Sequence, residues 1–433
     1  MKVDAPESVS TFILSSFFYA KHRKDSNKII YFCSTLTIKY EKSMLTQIIN
    51  GSIFTPQGWI EDGSVLIRDG KILEVTNCDL AIEGAEIIDA KGQFIVPGYV
   101  CMHAHGGGGH DFIECTEEAF RMAAETHRKH GATCIIPTMS SSTFEDIRKG
   151  VAICEKLMSE KDSPIMGLHL EGPYLTPKRA SHEFGDKLCE PNPDEYKPLL
   201  DSTNCIKRWD ASPEVPGTLE FARYLKSKGI LAGLTHTEVE YQEVKEAYEA
   251  GFTHAAHFYN GMPGFHKCRE YKYEGTVESV YLVDDMTIEL IADGRHLPNT
   301  ILNLAYKVKG VEKTCLVTAA LAYAGAENME VKHPNIIIED GVCKSADHAN
   351  LVGSIATMDV LVKNMVKAGV QLEHVLRMAS ETPARLLNVY DRKGSLEKGK
   401  DADILVIDGK QNVRAIWAMG KMVEGSNTLW KKE

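Results

Sequence analysis

His103 and His105 stand two residues apart at the end of an apolar run, Pro97-Gly-Tyr-Val-Cys-Met-His-Ala-His105, and four glycines, Gly106 to Gly109, follow. If the run is a β-strand, side chains two apart share a face, so both imidazoles point the same way. Such a pair can clamp one divalent metal through ring nitrogens. The glycines let backbone approach a ligand closely and take positive φ without strain. A bare His-x-His arises often by composition, so its meaning depends on company elsewhere. Candidate company exists: Glu171 in Gly167-Leu-His-Leu-Glu-Gly-Pro173, His236, His257 in Thr253-His-Ala-Ala-His-Phe-Tyr-Asn-Gly-Met-Pro263, and His296 in Asp293-Gly-Arg-His296.

Bringing such distant groups together requires a repetitive scaffold. Eight apolar runs alternate with helical patterns: Phe94–Met102, Thr133–Pro137, Pro164–Leu170, Ile206–Asp210, Ile230–Leu234, Phe252–Ala256, Thr287–Ala292 and Thr314–Thr318. The alternation calls for parallel βαβ units, hence an α/β fold, and eight strands match a (β/α)8 TIM barrel. Catalytic groups of that fold sit just after the strands. His103 and His105 follow the first run, Glu171 the third, His236 the fifth, His257 the sixth and Asp293 to His296 the seventh. Convergence of these groups on one mouth predicts a metal site. His169 and His254 lie inside their strands or out of phase with the neighbouring candidate, so they read as hydrogen-bonded core histidines.

The flanks differ in character. From Met44 to about Gln93 the pattern is short strands and tight turns, with a hairpin predicted through Asp69-Gly70. Asp401–Gly409 and Val413–Val423 look alike, and the two ends are expected to build one small β-sandwich. The division expected is 1–43 as an extension, 44–95 and 396–433 as the two parts of the sandwich, and 96–395 as the barrel. Thr11–Ala20 is apolar but too short to span a bilayer, and Asp4 and Glu7 before it lack the basic character of an export signal. An upstream extension or a mis-assigned start fits it better.

The chain has 433 residues and a net charge of −11, which argues against non-specific binding to nucleic acid or an anionic membrane, since either needs a basic face. One local arginine can still receive an anionic small molecule. Eleven cysteines, an odd number without a C-x-x-C pair, suit a reduced, cytoplasmic setting in which they are buried as small apolar residues.

His-Leu-Glu-Gly-Pro, Thr-His-Ala-x-His-x-Tyr-Asn-x-Met-Pro and Ile-Ala-Asp-Gly-x-His resemble the amidohydrolase superfamily and, within it, the N-acetylglucosamine-6-phosphate deacetylases. Leu351–Met358, Met378–Arg385 and Gly399–Asp403 are similar to that family too. The resemblance implies hydrolysis of the acetamide of a phosphorylated amino sugar, giving glucosamine 6-phosphate and acetate. It implies Glu171, His236 and His257 as metal ligands, with His103 and His105 as the pair found in members holding a second ion and Glu171 between the two. Zinc or iron(II), one ion or two, accepts that donor set, lowers the pKa of water and polarises a carbonyl. Arg269 matches the phosphate-binding arginine, whose fork suits two oxygens. Asn260 and Gly261 match positions around the sugar phosphate, His296 a substrate-contacting histidine, and His182 a second one. Homodimers are implied as well.

One departure matters most. The eighth run ends Leu316-Val-Thr-Ala319-Ala320, where the family has aspartate at position 319 as general base and acid. Alanine carries no proton, and such groups are worth about 10²–10⁴-fold in rate. Asp293 and Glu238 lie nearby in the barrel plan but not at that strand end. Cys101, Thr235, Glu238 and Arg295 also depart from the family pattern, which fits natural divergence better than a single engineered change. Three readings therefore stand: the deacetylase with activity reduced at Ala319, an impaired relative that binds metal and sugar phosphate, and a deacetylase of another substrate.

Overall fold

The computed structural model describes residues 45–78, 82–180, 186–325 and 335–426. The proposed extension 1–43 and His182 lie outside them. The eight runs become parallel strands β1 (Tyr99–Ala104), β2 (Ala132–Ser140), β3 (Leu168–Glu171), β4 (Ile206–Ala211), β5 (Leu231–Leu234), β6 (Phe252–Ala255), β7 (Thr287–Leu290) and β8 (Thr314–Leu316). Each neighbours the next in one sheet. Past the end of β8 the chain returns to β1: the Ala319 N–H donates to the His103 carbonyl at 3.0 Å, and the His105 N–H to the Ala320 carbonyl at 2.8 Å. The barrel closes at the point where the candidate histidines leave β1.

Strands buried on both faces need apolar residues at nearly every position, which is why β1 and β2 read as continuous runs. Alternation sorts what remains. In β4, Trp209 points outward, where its ring stacks on Tyr174 at 5.6 Å and meets Phe221 of the following helix edge-on at 5.1 Å. Arg208 and Asp210, one residue to either side, therefore face the barrel interior, fully buried. The interior is apolar where Val100, Cys134, Leu231 and Cys315 cluster early in their strands. It turns polar toward the carboxyl ends.

Helices cover the outside, and their starts are legible chemistry. Thr116 and Thr143 cap Glu117–Lys129 and Phe144–Met158, each side chain accepting from the third helical amide. Further helices follow β3 to β8 in turn.

The two ends of the chain share a seven-stranded sheet. Leu45–Thr55 lies between Gly58–Arg68 and Ala85–Pro97, and Ile404–Ile407 from the C-terminal segment pairs antiparallel with Ala85–Pro97. Register shifts around Gly51 bend the long strands, and Ile48, Val65 and Ile88 share one core with Ile404 and Trp417. The expected hairpin turns at Asp69-Gly70, both at positive φ, 52° and 81°.

One expectation needs correction. Phe94–Met102 is not a single strand: residues up to Pro97 belong to the small sheet, and β1 starts at Tyr99. Gly98 makes the crossing, its N–H bonded to the Asp403 carbonyl at 2.9 Å. A Cβ there would sit 2.0 Å from the Thr133 hydroxyl, so only glycine fits. A three-stranded sheet, Ile336–Glu339, Val342–Ser345 and Leu351–Ser354, was not anticipated; it returns to the barrel rim at Ala320.

Candidate metal centre

Four histidines and one glutamate from four strand ends surround a single point. Glu171 ends β3. Its Oε1 lies 2.8 Å from His257 Nε2 and 3.4 Å from His236 Nε2. Its Oε2 lies 3.5 Å from His105 Nε2 and 3.7 Å from His103 Nε2. Two donor groups result, His103–His105–Glu171 and Glu171–His236–His257, each with its atoms within 4.8 Å of one another. The carboxylate belongs to both.

The other ring nitrogens explain how the imidazoles are aimed. His103 Nδ1 donates to Glu289 at 3.0 Å, His236 Nδ1 to the Arg179 carbonyl at 3.1 Å, and His257 Nδ1 to the Asn260 carbonyl at 2.9 Å. His105 Nδ1 meets the Ser140 hydroxyl at 2.9 Å. Carbonyl and carboxylate oxygens only accept, so three of these rings must carry their hydrogen on Nδ1. Each Nε2 then offers a lone pair toward Glu171, itself an acceptor. Acceptors facing one another at 2.8 Å, or His103 and His105 Nε2 atoms 3.2 Å apart, need a cation or an added proton between them. Tying the far nitrogen of a ligating histidine to a carbonyl or carboxylate is how metal sites fix tautomer and direction.

Electrostatics agree. Burial opposes a charged His103, yet Glu289 and Glu171 outweigh it and push the ring up to about 9. Glu171 is held well below the usual carboxylate range, the surrounding histidines overriding its burial. His105, without a second carboxylate, falls to about 3 through burial. The group linked by direct contacts holds Glu171, Asp210 and Glu289 against Arg208 alone, all buried. With neutral imidazoles two negative charges stay uncompensated among buried groups, which is costly. The donor set and the charge fit a divalent ion.

Backbone conformation is unusual here. His236, His257 and Ala319 take φ of 44°, 30° and 43°. Non-glycine residues in that region cost roughly 1–3 kcal/mol and gather at functional sites. The turns swing side chains from strand ends across the mouth.

The remaining predicted residues divide. Asn260 and Gly261 belong to the centre: Asn260 receives His257 Nδ1, and a Cβ on Gly261 would come within 2.9 Å of His236 Nδ1. Ala319 is buried at the rim beside His103. His296 lies at the end of β7, its Nδ1 2.7 Å from Asp293 Oδ2. Arg269 is not gathered with the histidines; it sits at the exposed turn of a hairpin formed by His266–Cys268 and Tyr271–Tyr273. Asp293 is occupied by its own loop, accepting from the Arg295 and His296 amides at 2.8 Å each. Glu238 is bound at the surface by Arg179 and Lys178. Neither approaches Ala319 through any bond described.

His169 and His254 are hydrogen-bonded core residues: Nδ1 of each meets a threonine hydroxyl, Thr138 at 3.0 Å and Thr287 at 2.7 Å. They border an ionic layer that sequence reasoning missed. Arg208 Nε donates to Asp210 at 2.8 Å, and its guanidinium also holds Glu289. The signal was present as charges at alternate positions, Arg208 and Asp210, flanking a tryptophan, and as a lone Glu289 within an apolar strand.

No helix among the described residues is long and apolar enough to cross a membrane. The amidohydrolase family's model matches residues 94–423. The N-acetylglucosamine-6-phosphate deacetylase of Lysinibacillus sphaericus is 28% identical over 83% of this chain and 93% of its own length. An N-acetylgalactosamine-6-phosphate deacetylase of Escherichia coli O157:H7 is also 28% identical, over 86% of this chain and 97% of its own. The crystal structure of the N-acetylglucosamine-6-phosphate deacetylase from Pasteurella multocida superposes with a TM-score of 0.82 at 27% identity, covering 88% of this chain and 99% of that one. The matched span takes in the whole barrel and the return to the small sheet, and on that ground the chain belongs to the amidohydrolase family.

Proposed function

We propose that this chain hydrolyses the acetamide of N-acetylglucosamine 6-phosphate, giving glucosamine 6-phosphate and acetate, at a rate held down by the alanine at position 319. The observation that carries the reading is the set of Nε2 atoms aimed at Glu171 by bonds on their far nitrogens. Glu171, His236 and His257, with His103 and His105, would hold a divalent ion, zinc or iron(II) by donor chemistry. With the imidazoles neutral, as metal ligands must be, the buried network carries two uncompensated negative charges, which supports one ion rather than two. The chemistry such an ion supplies is polarisation of the acetamide carbonyl and a lowered pKa for water.

The chain's own groups do the rest. Glu171 and the histidines fix the reacting centre, with Asn260 and Gly261 packed against His257 and His236. His296, oriented by Asp293, offers Nε2 to a sugar hydroxyl or the acetamide, and Arg269 suits the phosphate. Breaking the C–N bond requires a proton for the departing amine, and Ala319 has none to give. A binding protein without turnover is the second reading, favoured by that residue alone.

Exposed Phe265, Tyr271 and Tyr273 around Arg269 support the homodimer, to be checked by light scattering. The ten described cysteines are all free thiols, in keeping with a cytoplasmic location. The test is acetate release from N-acetylglucosamine 6-phosphate by the zinc-loaded chain, with N-acetylgalactosamine 6-phosphate and the unphosphorylated sugar beside it. Slow release that needs the phosphate supports the proposal. Release from another N-acetylated substrate alone overturns it, and tight binding with no release selects the second reading.

A further inference from the structure

Glu289 faces the interior from β7, a strand that contributes nothing to the Glu171 cluster, yet it is bonded to two of the cluster's histidines. Its Oε2 accepts from His103 Nδ1 at 3.0 Å and from the backbone N–H of His257 at 2.9 Å. Its Oε1 is held by the Arg208 guanidinium and lies 3.4 Å from His254 Nε2. Glu289, Arg208 and His103 are fully buried.

One carboxylate thus indexes β1 to β6, taking one histidine from each donor group that shares Glu171. Because Glu289 can only accept, it forces the hydrogen of His103 onto Nδ1 and leaves the Nε2 lone pair toward Glu171. The carboxylate is itself pinned: Arg208 spends Nε and Nη2 on Asp210 and Nη1 on Glu289. A planar guanidinium fixed at both ends allows the glutamate little movement.

We infer that Glu289 is a positioning residue, which sets the tautomer of His103 and its spacing from His257 and so governs the affinity of the centre for a divalent cation. The inference rests on the reading that the cluster holds a metal. Partners of this kind, when removed, typically cost about 10–100-fold in metal affinity.

The test is titration of the metal-stripped full chain with zinc, and with cobalt(II) read by its visible spectrum, for wild type, Glu289→Gln and Asp210→Asn. Asp210→Asn removes one charge from the same network and leaves Arg208 equally short of a partner, but Asp210 bonds to none of the four cluster histidines. The expected result is that Glu289→Gln weakens zinc binding about 10–100-fold and alters the cobalt spectrum, while Asp210→Asn, which lowers the network charge equally, weakens it by much less and keeps the wild-type cobalt spectrum. Equal affinity of Glu289→Gln and wild type overturns the inference. So does an equal loss in both variants, since network charge rather than His103 would then be responsible. A wild type that takes up no zinc overturns the metal reading itself. A second measurement needs no variant to fold: in the zinc-loaded, ¹⁵N-histidine-labelled wild type, His103 should show a slowly exchanging Nδ1–H. A proton on Nε2 instead contradicts the inference.

Discussion

Restoring a carboxylate at position 319 should raise turnover sharply. The site can accept it. Ala319 stands at φ 43°, a region that aspartate visits more readily than alanine, so Ala319→Asp adds no backbone strain. Its N–H bond to the His103 carbonyl is a backbone contact and survives the change. The new carboxylate enters the rim beside His103, where a proton carrier is otherwise lacking. General acid–base groups contribute about 10²–10⁴-fold, or roughly 2.7–5.4 kcal/mol of barrier. The cost is electrostatic: a fourth carboxylate joins Glu171, Asp210 and Glu289, so the variant should melt lower than wild type without zinc and gain more from adding it. Acetate release from N-acetylglucosamine 6-phosphate, followed at saturating substrate and equal zinc content, measures the gain as kcat. A folded, zinc-loaded Ala319→Asp that turns over no faster than wild type refutes the reasoning. So does a wild type already as fast as an efficient hydrolase.

Three further outcomes are expected. His103→Ala should bind zinc at least about ten-fold more weakly than wild type; unchanged affinity and stoichiometry would remove the β1 pair from the centre. Gly98→Ala should destabilise the fold by about 1–3 kcal/mol, because its Cβ would overlap buried Thr133, and a Tm equal to wild type would show that the crossing tolerates a side chain. Asp401 is buried, which alone would raise its pKa, but Lys393, Lys71 and Arg392 hold it below the usual range. Its stabilising contribution is thus complete above about pH 4, the unfolded value, and lost as pH falls through the folded one. Asp401→Asn should flatten the acid side of the stability profile; parallel acid limbs in the two proteins would contradict that sign.

The barrel was legible because burial on both faces writes strands as unbroken apolar runs, and the rule that active groups follow strands then picked out Glu171, His236 and His257. The same property hid the end of the small sheet's strand, since the apolar run from Phe94 to Met102 continues on both sides of Pro97-Gly98, the pair that marks where the chain changes sheets. The ionic layer escaped for a different reason. Arg208 and Asp210 look solvated in a sequence, and only closure of the barrel makes alternate residues interior. Arg269 was recognisable by its type and neighbours, but its place at the exposed turn of a hairpin, apart from the histidine cluster, has no signature in the apolar pattern. Glu289 had no motif at all, because its importance comes from what β1 and β6 bring to it.

The chemistry of the barrel mouth turns on whether the Glu171 cluster takes up a divalent ion. Elemental analysis of the chain, stripped with chelator and dialysed against zinc, should find one ion per chain in the wild type and none retained in Glu171→Gln, the residue both donor groups share. No zinc in the wild type, or the same zinc content in both proteins, would contradict the account.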